Sequence, residues 1–312
     1  MRALNVLRDL SKVADLIELC FSPTMDNYGQ RYVNDMRKAG RDESFLRWAN
    51  HVAETTSMPM MGYVWEEEDG KIVGNASLIP FRDKGKRIHL IANVATHPDY
   101  RRRGIARALT ERVIKQAREK NTTAFWLHVR DDNPSAIKMY ADLGFVEIAR
   151  RTAWTANPDS QLPKIESDIQ IIPRHPHFWI QQLGWLRRLY PDSIAWYHHW
   201  NFNSLRPGFW SWLSNLFMDF ELEQWAAVRG DELLATLTSA PHGGRSSSLF
   251  AATSERADEA LKLLLVHARR ALRYHSSLAF DFPGGEMTDA ILAAGFKARR
   301  TLIWMRADAT NR

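Results

Sequence analysis

Apolar positions in the first half of this chain change their period several times, and each change marks an element. MRALNVLRDLSKVADLIELC reads as a short strand followed by an amphipathic helix. Between Met60 and Phe81, MMGYVW and IVGNASLIPF place small and apolar residues in alternation on either side of EEEDGK, where Asp69-Gly70 gives a hairpin signal. Glu66, Glu67 and Glu68 read as a solvated hairpin tip in preference to a site for a cationic ligand. The basic turn FRDKGKR leads into HLIANVAT, a strand halted at His97-Pro98 because proline has no N–H to give to a ladder. In RRRGIARALTERVIKQAREK, Ile105, Leu109, Val113 and Ala117 form one helical stripe. AFWLHV follows as a strand, DDNPSAIKMYADLG as a short helix closed by Gly144, and FVEIARRTAW as a last strand. The pattern is α/β (α+β), with strands and helices mixed.

The pattern then repeats. DGKIVGNASL returns as GDELLATLTS, HLIANVAT as SSSLFAAT, ARALTERVIKQARE as DEALKLLLVHARRAL, and GFVEIARRTAW as GFKARRTLIWM, in the same order. Residues 156–170 are polar and proline-containing, so they are expected to link a first domain, 1–155, to a second, 171–312. The copies differ between strand and helix. Ala95 and Leu109 lie fourteen positions apart, whereas Ala252 and Leu261 lie nine apart, so the second copy lacks a counterpart of HPDYRRRG. Whatever that segment binds, the second copy is expected to have lost.

Composition narrows the class. With 45% hydrophobic and 25% charged residues, the 312-residue chain has a globular profile that suits two domains. It contains no apolar run long enough to span a bilayer, and its N-terminus lacks the continuous apolar stretch of a signal peptide. The single cysteine, Cys20, reads as a small buried hydrophobe, and a reducing cytoplasm is the expected compartment. The net charge of +6 includes no basic tail or repeat. Its densest cluster is Arg101, Arg102 and Arg103, with Arg107 one turn on, which suits a compact phosphate group better than a nucleic-acid duplex.

Arg101-Arg102-Arg103-Gly104-Ile105-Ala106 stands between a strand end and a helix start. The first helical turn leaves backbone N–H groups unpaired and carries positive potential. Gly104 and Ala106 remove bulk there, so an anion can approach the backbone. The hexapeptide lacks the Lys-Ser/Thr of a Walker loop and is not GxGxxG.

Together with N-P-S-A-I-K-M-Y-A-D-L-G-F downstream, V-A-T-H-P-D-Y-R-R-R-G-I-A-R-A-L closely resembles the GNAT superfamily of N-acetyltransferases. The matching positions are Arg101 to Ala106 after the fourth strand, then Asn133, Tyr140 and Leu143-Gly144-Phe145. The resemblance implies two GNAT-like domains, each a mixed, mostly antiparallel twisted sheet flanked by helices, the second degenerate. It implies acetyl-CoA as acyl donor and a small-molecule or peptide amine as acceptor. Val94, Ala95 and Thr96 would offer backbone groups to the pantetheine arm, and an N–H there would polarise the thioester carbonyl. Arg102, Arg103, Gly104, Ile105, Ala106 and Arg107 would wrap the pyrophosphate. Asn133 would bind the pantetheine, and Tyr140 would protonate the departing thiolate or guide a water that does so. Related enzymes often carry a glutamate on the fifth strand where this chain has His128; an imidazole there is either the general base or a packed strand residue. His89 and His97 are weaker alternatives, and Asp131 and Asp132 attract an amine, or are solvated loop acids or caps of the next helix.

The aromatic run from His175 to Trp225, with Trp179, Trp185, Trp196, Trp200, Trp210 and Trp212, is expected to pack between domains. His175, His177, His198 and His199 fit no zinc spacing, so no metal site is expected. The competing function classes are a non-catalytic acyl-CoA sensor on the same fold and a nucleic-acid-associated protein. A monomer with an internal pseudo-dimer is expected, on no membrane and without nucleic acid.

Overall fold

The computed structural model describes the chain apart from residues 23–24, 26, 43, 46–56, 160, 163–164, 199–201, 208–221, 242–245 and 310–312. Trp200, Trp210, Trp212 and His199 lie outside the described residues. Two compact units divide the chain: Met1–Ile148 with Ile303–Arg312, and Ala149–Leu302.

The first unit holds β1 (Arg2–Ala3), α1 (Val6–Phe21), α2 (Asn27–Ala39), β2 (Met61–Glu66), β3 (Ile72–Asp83), β4 (Lys86–Thr96), α3 (Ile105–Arg118), β5 (Ala124–Arg130) and α4 (Pro134–Asp142). Its strands run β1-β2-β3-β4-β5 and pair antiparallel except for β4 and β5, which are parallel. A parallel pair needs a long crossover, and α3 supplies it. The stripe read from the sequence is the seated face of α3: Ile105, Leu109, Val113 and Ala117 are buried with Val73, Leu78, Phe125 and Leu127. Gly74 makes room for this helix, since a Cβ there would lie 2.7 Å from Ile105 Cγ2 and 2.9 Å from Leu109 Cδ1. Strand alternation turns Val64, Ile72 and Ala95 into a separate core, where they meet Val6, Leu10, Val13 and Ile17 of α1 and Val33 and Met36 of α2.

The hairpin glutamates are not all at the tip. Glu66 binds the Arg2 guanidinium, which also grips the fully buried Asp9 carboxylate and so ties β1, α1 and β2 together. Although burial pushes Asp9 upward, the hydrogen bonds from Arg2 and the Asn5 amide hold its pKa below the usual carboxylate value. Cys20 is a half-buried free thiol that donates to Thr96 O at 3.3 Å, and burial raises its pKa.

In the second unit β7 (Gln170–Pro173), α5 (Trp179–Leu189), β8 (Glu223–Arg229), β9 (Glu232–Pro241), β10 (Ser246–Thr253), α6 (Asp258–Ala271), β11 (Ser277–Pro283) and α7 (Thr288–Ala293) repeat that succession. Again the pair flanking the long helix, β10 and β11, is the parallel one. Trp225 is buried in this unit's own core and Trp179 and Trp185 pack against it, so these three serve the unit that contains them.

The last strand of each sequence copy is long. β6 (Val146–Ala156) begins in the first unit and continues in the second, where residues 151–156 pair with β11. β12 (Lys297–Asp308) begins in the second unit and ends in the first, where it neighbours β5 and buries Ile303, Met305 and Ala307 with Phe125 and Leu127. The units therefore part inside β6, upstream of the expected linker 156–170. The 303–312 segment returns to the first unit.

Candidate active site

The site forms where β4 leaves its neighbours. Cα pairing of β4 with β5 runs from Ile88↔Ala124 to Ile91↔Leu127 and goes no further. On the other side Ala92 faces Ser77 and Ala95 faces Asn75, so Asn93 and Val94 together stand opposite Ala76 alone. This is a β-bulge. Asn93 has φ 53°, a left-handed conformation uncommon outside glycine and best tolerated by Asn and Asp. Neither Asn93 nor Val94 has a partner in the register of β3 or β5. Of the three residues expected to offer backbone groups here, Val94 sits in the bulge, while Ala95 and Thr96 are back in register with Asn75 and Gly74.

Four polar side chains surround the bulge. Asn75, fully buried on β3, donates through Nδ2 to Asn93 O at 2.8 Å and to Ser77 Oγ at 3.1 Å. Asn93 Nδ2 donates to Tyr32 Oη of α2 at 2.7 Å. None of these residues stood out in the sequence. An asparagine inside the apolar strand HLIANVAT is the one signal that could have found them.

Past β4 a single 3₁₀ turn, Pro98–Tyr100, leads to the arginines. His97 builds this turn, its Nδ1 accepting from Asp99 N at 3.3 Å and its ring standing edge-on to Tyr100. Arg102 (φ 62°) and Gly104 (φ 76°) are left-handed, which lifts the chain into α3 with no side-chain cap and no acid in the first turn. The first turn of α3 thus has no side-chain cap at its amides. A Cβ on Gly104 would meet nothing within 4 Å, so the space in front of them is open. Arg101, Arg102 and Arg103 are exposed, and the Arg103 guanidinium lies 4.9 Å from the Tyr100 ring centroid. Ile105 gives its side chain to the core, so only its backbone can serve a ligand. Arg107 is partly engaged by Asp142 at 3.2 Å.

Asn133 is the N-cap of α4, its Oδ1 accepting from Ala136 N at 3.1 Å and from Ser135 Oγ at 3.0 Å. The cap is therefore Asn133 itself and neither preceding aspartate. Asp132 is gripped by Arg130, whose hydrogen bonds hold the carboxyl below its usual range. Tyr140, in the last turn of α4, is buried with Phe145 at 6.1 Å, and burial pushes its phenol well above the ordinary value. His128 is half-buried on β5, its ring 3.7 Å from that of Trp304 in β12. His89, near the start of β4, is fully buried with Nδ1 2.8 Å from Thr122 Oγ1, away from the bulge.

The second unit shows what a filled counterpart looks like. Its β10–β11 pairing also stops early, at Leu249↔Phe280, but β10 stays in unbroken register with β9 from Ser247 to Thr253. Ala251, the sequence counterpart of Val94, gives its amide to the buried Tyr190 hydroxyl at 3.1 Å. Arg151 stacks 5.0 Å over that ring and pairs with Asp281. The helix that follows opens with Asp258 and Glu259, which repel an anion. Among the described residues no cluster of three or more metal-ligating side chains occurs, and no helix is long and apolar enough to cross a membrane.

Residues 22–145 match the model of the Acetyltransferase (GNAT) family. Over 69 residues the chain is 38% identical to ribosomal protein bS18-alanine N-acetyltransferase of Escherichia coli (strain K12), covering 22% of this chain and 47% of that protein. Over 104 residues it is 29% identical to the L-amino acid N-acyltransferase MnaT of the same strain, covering 32% of this chain and 60% of that protein. The chain spans about half the length of the curated relatives it matches. A crystal structure of a GCN5-related N-acetyltransferase from Sphaerobacter thermophilus superposes over 99% of this chain and 95% of its own, with a TM-score of 0.54 at 13% identity, a likeness of fold.

Proposed function

We propose, from a chain whose residues 22–145 belong to the GNAT acetyltransferase family, that it moves the acetyl group of acetyl-CoA to a primary amine by direct attack. One observation carries this reading. A bulged strand in which Asn93 and Val94 fall outside the register of β3 runs, within a dozen residues, into an uncapped and acid-free helix N-terminus. The first feature suits a thioester arm, the second a pyrophosphate.

When bound, acetyl-CoA supplies an acyl group activated by a good leaving thiolate. The chain does the rest. Val94, Ala95 and Thr96 hold the arm along the free side of β4, with a bulge amide donating to the carbonyl oxygen as negative charge gathers there. Arg102, Arg103, Gly104, Ile105, Ala106 and Arg107 take the pyrophosphate through amides and charge. The Asn133 carbonyl is committed to its cap, which leaves its amide nitrogen to the arm. His128 takes a proton from the ammonium so that the free amine attacks, and Tyr140 hands its proton to the leaving sulfur and regains one from the nitrogen as the amide forms.

The names of the two relatives share an α-amino acceptor, so amino acids and peptide N-termini head the list of acceptors. The test is a screen of amines with acetyl-CoA, reading released thiol, in the parent and in His128→Ala. Turnover that the variant recovers as pH rises supports the reading with His128 as base. A variant that loses stability with an unchanged pH profile restricts His128 to packing. Tight binding of acetyl-CoA with no amine acylated would favour the sensor class.

A further inference from the structure

We infer that Asn75 and Tyr32 are positioning residues that clamp the β4 bulge and so aim its amides. The inference rests on the acyl-transfer reading above and deepens it at the same site. A left-handed φ at a non-glycine residue inside a strand costs energy that surrounding contacts must offset. Asn93 is gripped from both ends of its own structure. Its carbonyl accepts from Asn75 Nδ2 at 2.8 Å, and its side-chain amide donates to Tyr32 Oη at 2.7 Å.

The orientation of Asn75 is dictated. Its NH₂ faces two acceptors, Asn93 O and Ser77 Oγ, and no hydrogen-bond partner among the described residues reaches its fully buried Oδ1. A buried carbonyl without a partner is destabilising, and an apolar side chain of that size would avoid the cost. What Asn75 provides instead is a donor to the one backbone carbonyl whose position sets the peptide between Asn93 and Val94. That peptide carries the Val94 N–H. Asn75 and Tyr32 therefore act on the acyl group through the backbone, touching neither donor nor acceptor.

Asn75→Leu keeps the size and removes the donor, and Tyr32→Phe removes one hydroxyl. The full-length chain is loaded with acetyl-CoA carrying a ¹³C thioester carbonyl, and the carbonyl stretch is read by infrared difference spectroscopy beside steady-state rates. The parent is expected to lower the stretch on binding. Asn75→Leu should return it toward the free value and lower kcat about 10²-fold, with KM for acetyl-CoA within about twofold. Tyr32→Phe should move the band the same way by less. In an Asn93→Gly chain, where left-handed φ comes without a clamp, adding Asn75→Leu should move the band less than half as far. A parent-like band in Asn75→Leu, or an equal displacement in both backgrounds, overturns the clamp. If Asn75→Leu shows no cooperative melt, Tyr32→Phe decides, and a parent-like band there overturns it. A parent that binds no acetyl-CoA, or binds it without lowering the stretch, fails the acyl-transfer reading and the clamp together.

Discussion

The acid role proposed for Tyr140 depends on where it is packed. Enclosed beside Phe145, its phenol is pushed up by burial alone and stays protonated throughout the neutral range. In the role proposed for it, delivering a proton as a thiolate departs, the phenol has to be loaded at that moment, and desolvation keeps it loaded. Tyr140→Phe is expected to cost about 10² to 10⁴ in kcat, with acetyl-CoA affinity measured by calorimetry within about twofold. Stability should respond only at high pH. The folded pKa lies above the unfolded one, so the phenol's contribution is complete below about pH 10. It is lost as pH rises further, by about 1.4 kcal/mol per pH unit. Alkaline melts should therefore fall more steeply in the parent than in Tyr140→Phe.

Two helix starts separate the two copies at the scale of elements. α3 begins after a left-handed glycine with bare amides and arginines alongside, whereas α6 begins with Asp258 and Glu259 and follows β10 after four residues. The strand before each differs as well. β4 is bulged and β10 is not, and the Ala251 amide is already taken by Tyr190. An anion would meet amide dipoles at α3 and carboxylates at α6, and a pantetheine arm would find a free strand edge at β4 only. Calorimetric titration with acetyl-CoA is expected to give one site per chain. Two equivalent sites would remove the asymmetry on which this rests.

For the whole molecule, the path of β12 matters most. The first unit keeps Ile303, Met305 and Ala307 in its core, and Trp304 beside His128, although these residues follow the entire second unit in sequence. Burial of an Ile or Met side chain contributes roughly 1.5–3 kcal/mol, against a total stability of about 5–15 kcal/mol for a typical domain. A fragment of residues 1–155 therefore lacks a core strand and is expected not to melt cooperatively by circular dichroism, nor to bind acetyl-CoA. Cooperative melting of that fragment with full affinity would show that β12 is dispensable to the first unit.

The sequence determined what depends on neighbours along the chain. The α3 stripe, the hairpin at Asp69-Gly70, the stop at His97-Pro98 and the arginine-rich helix start are local, because period, turn chemistry and unpaired first-turn amides are fixed within a few residues. The repeat was legible for the same reason, since like elements recur in like order. Tertiary structure alone decided what joins distant residues. Tyr32 and Asn93 are 61 positions apart and Arg151 and Asp281 are 130 apart, and no local period announces such pairs. The return of β12 to the first unit was equally hidden, because Gly-Phe followed by alternating residues states that a strand forms and is silent on its neighbour. Strand identity is written in side-chain alternation; strand pairing is made by backbone groups that every residue carries alike.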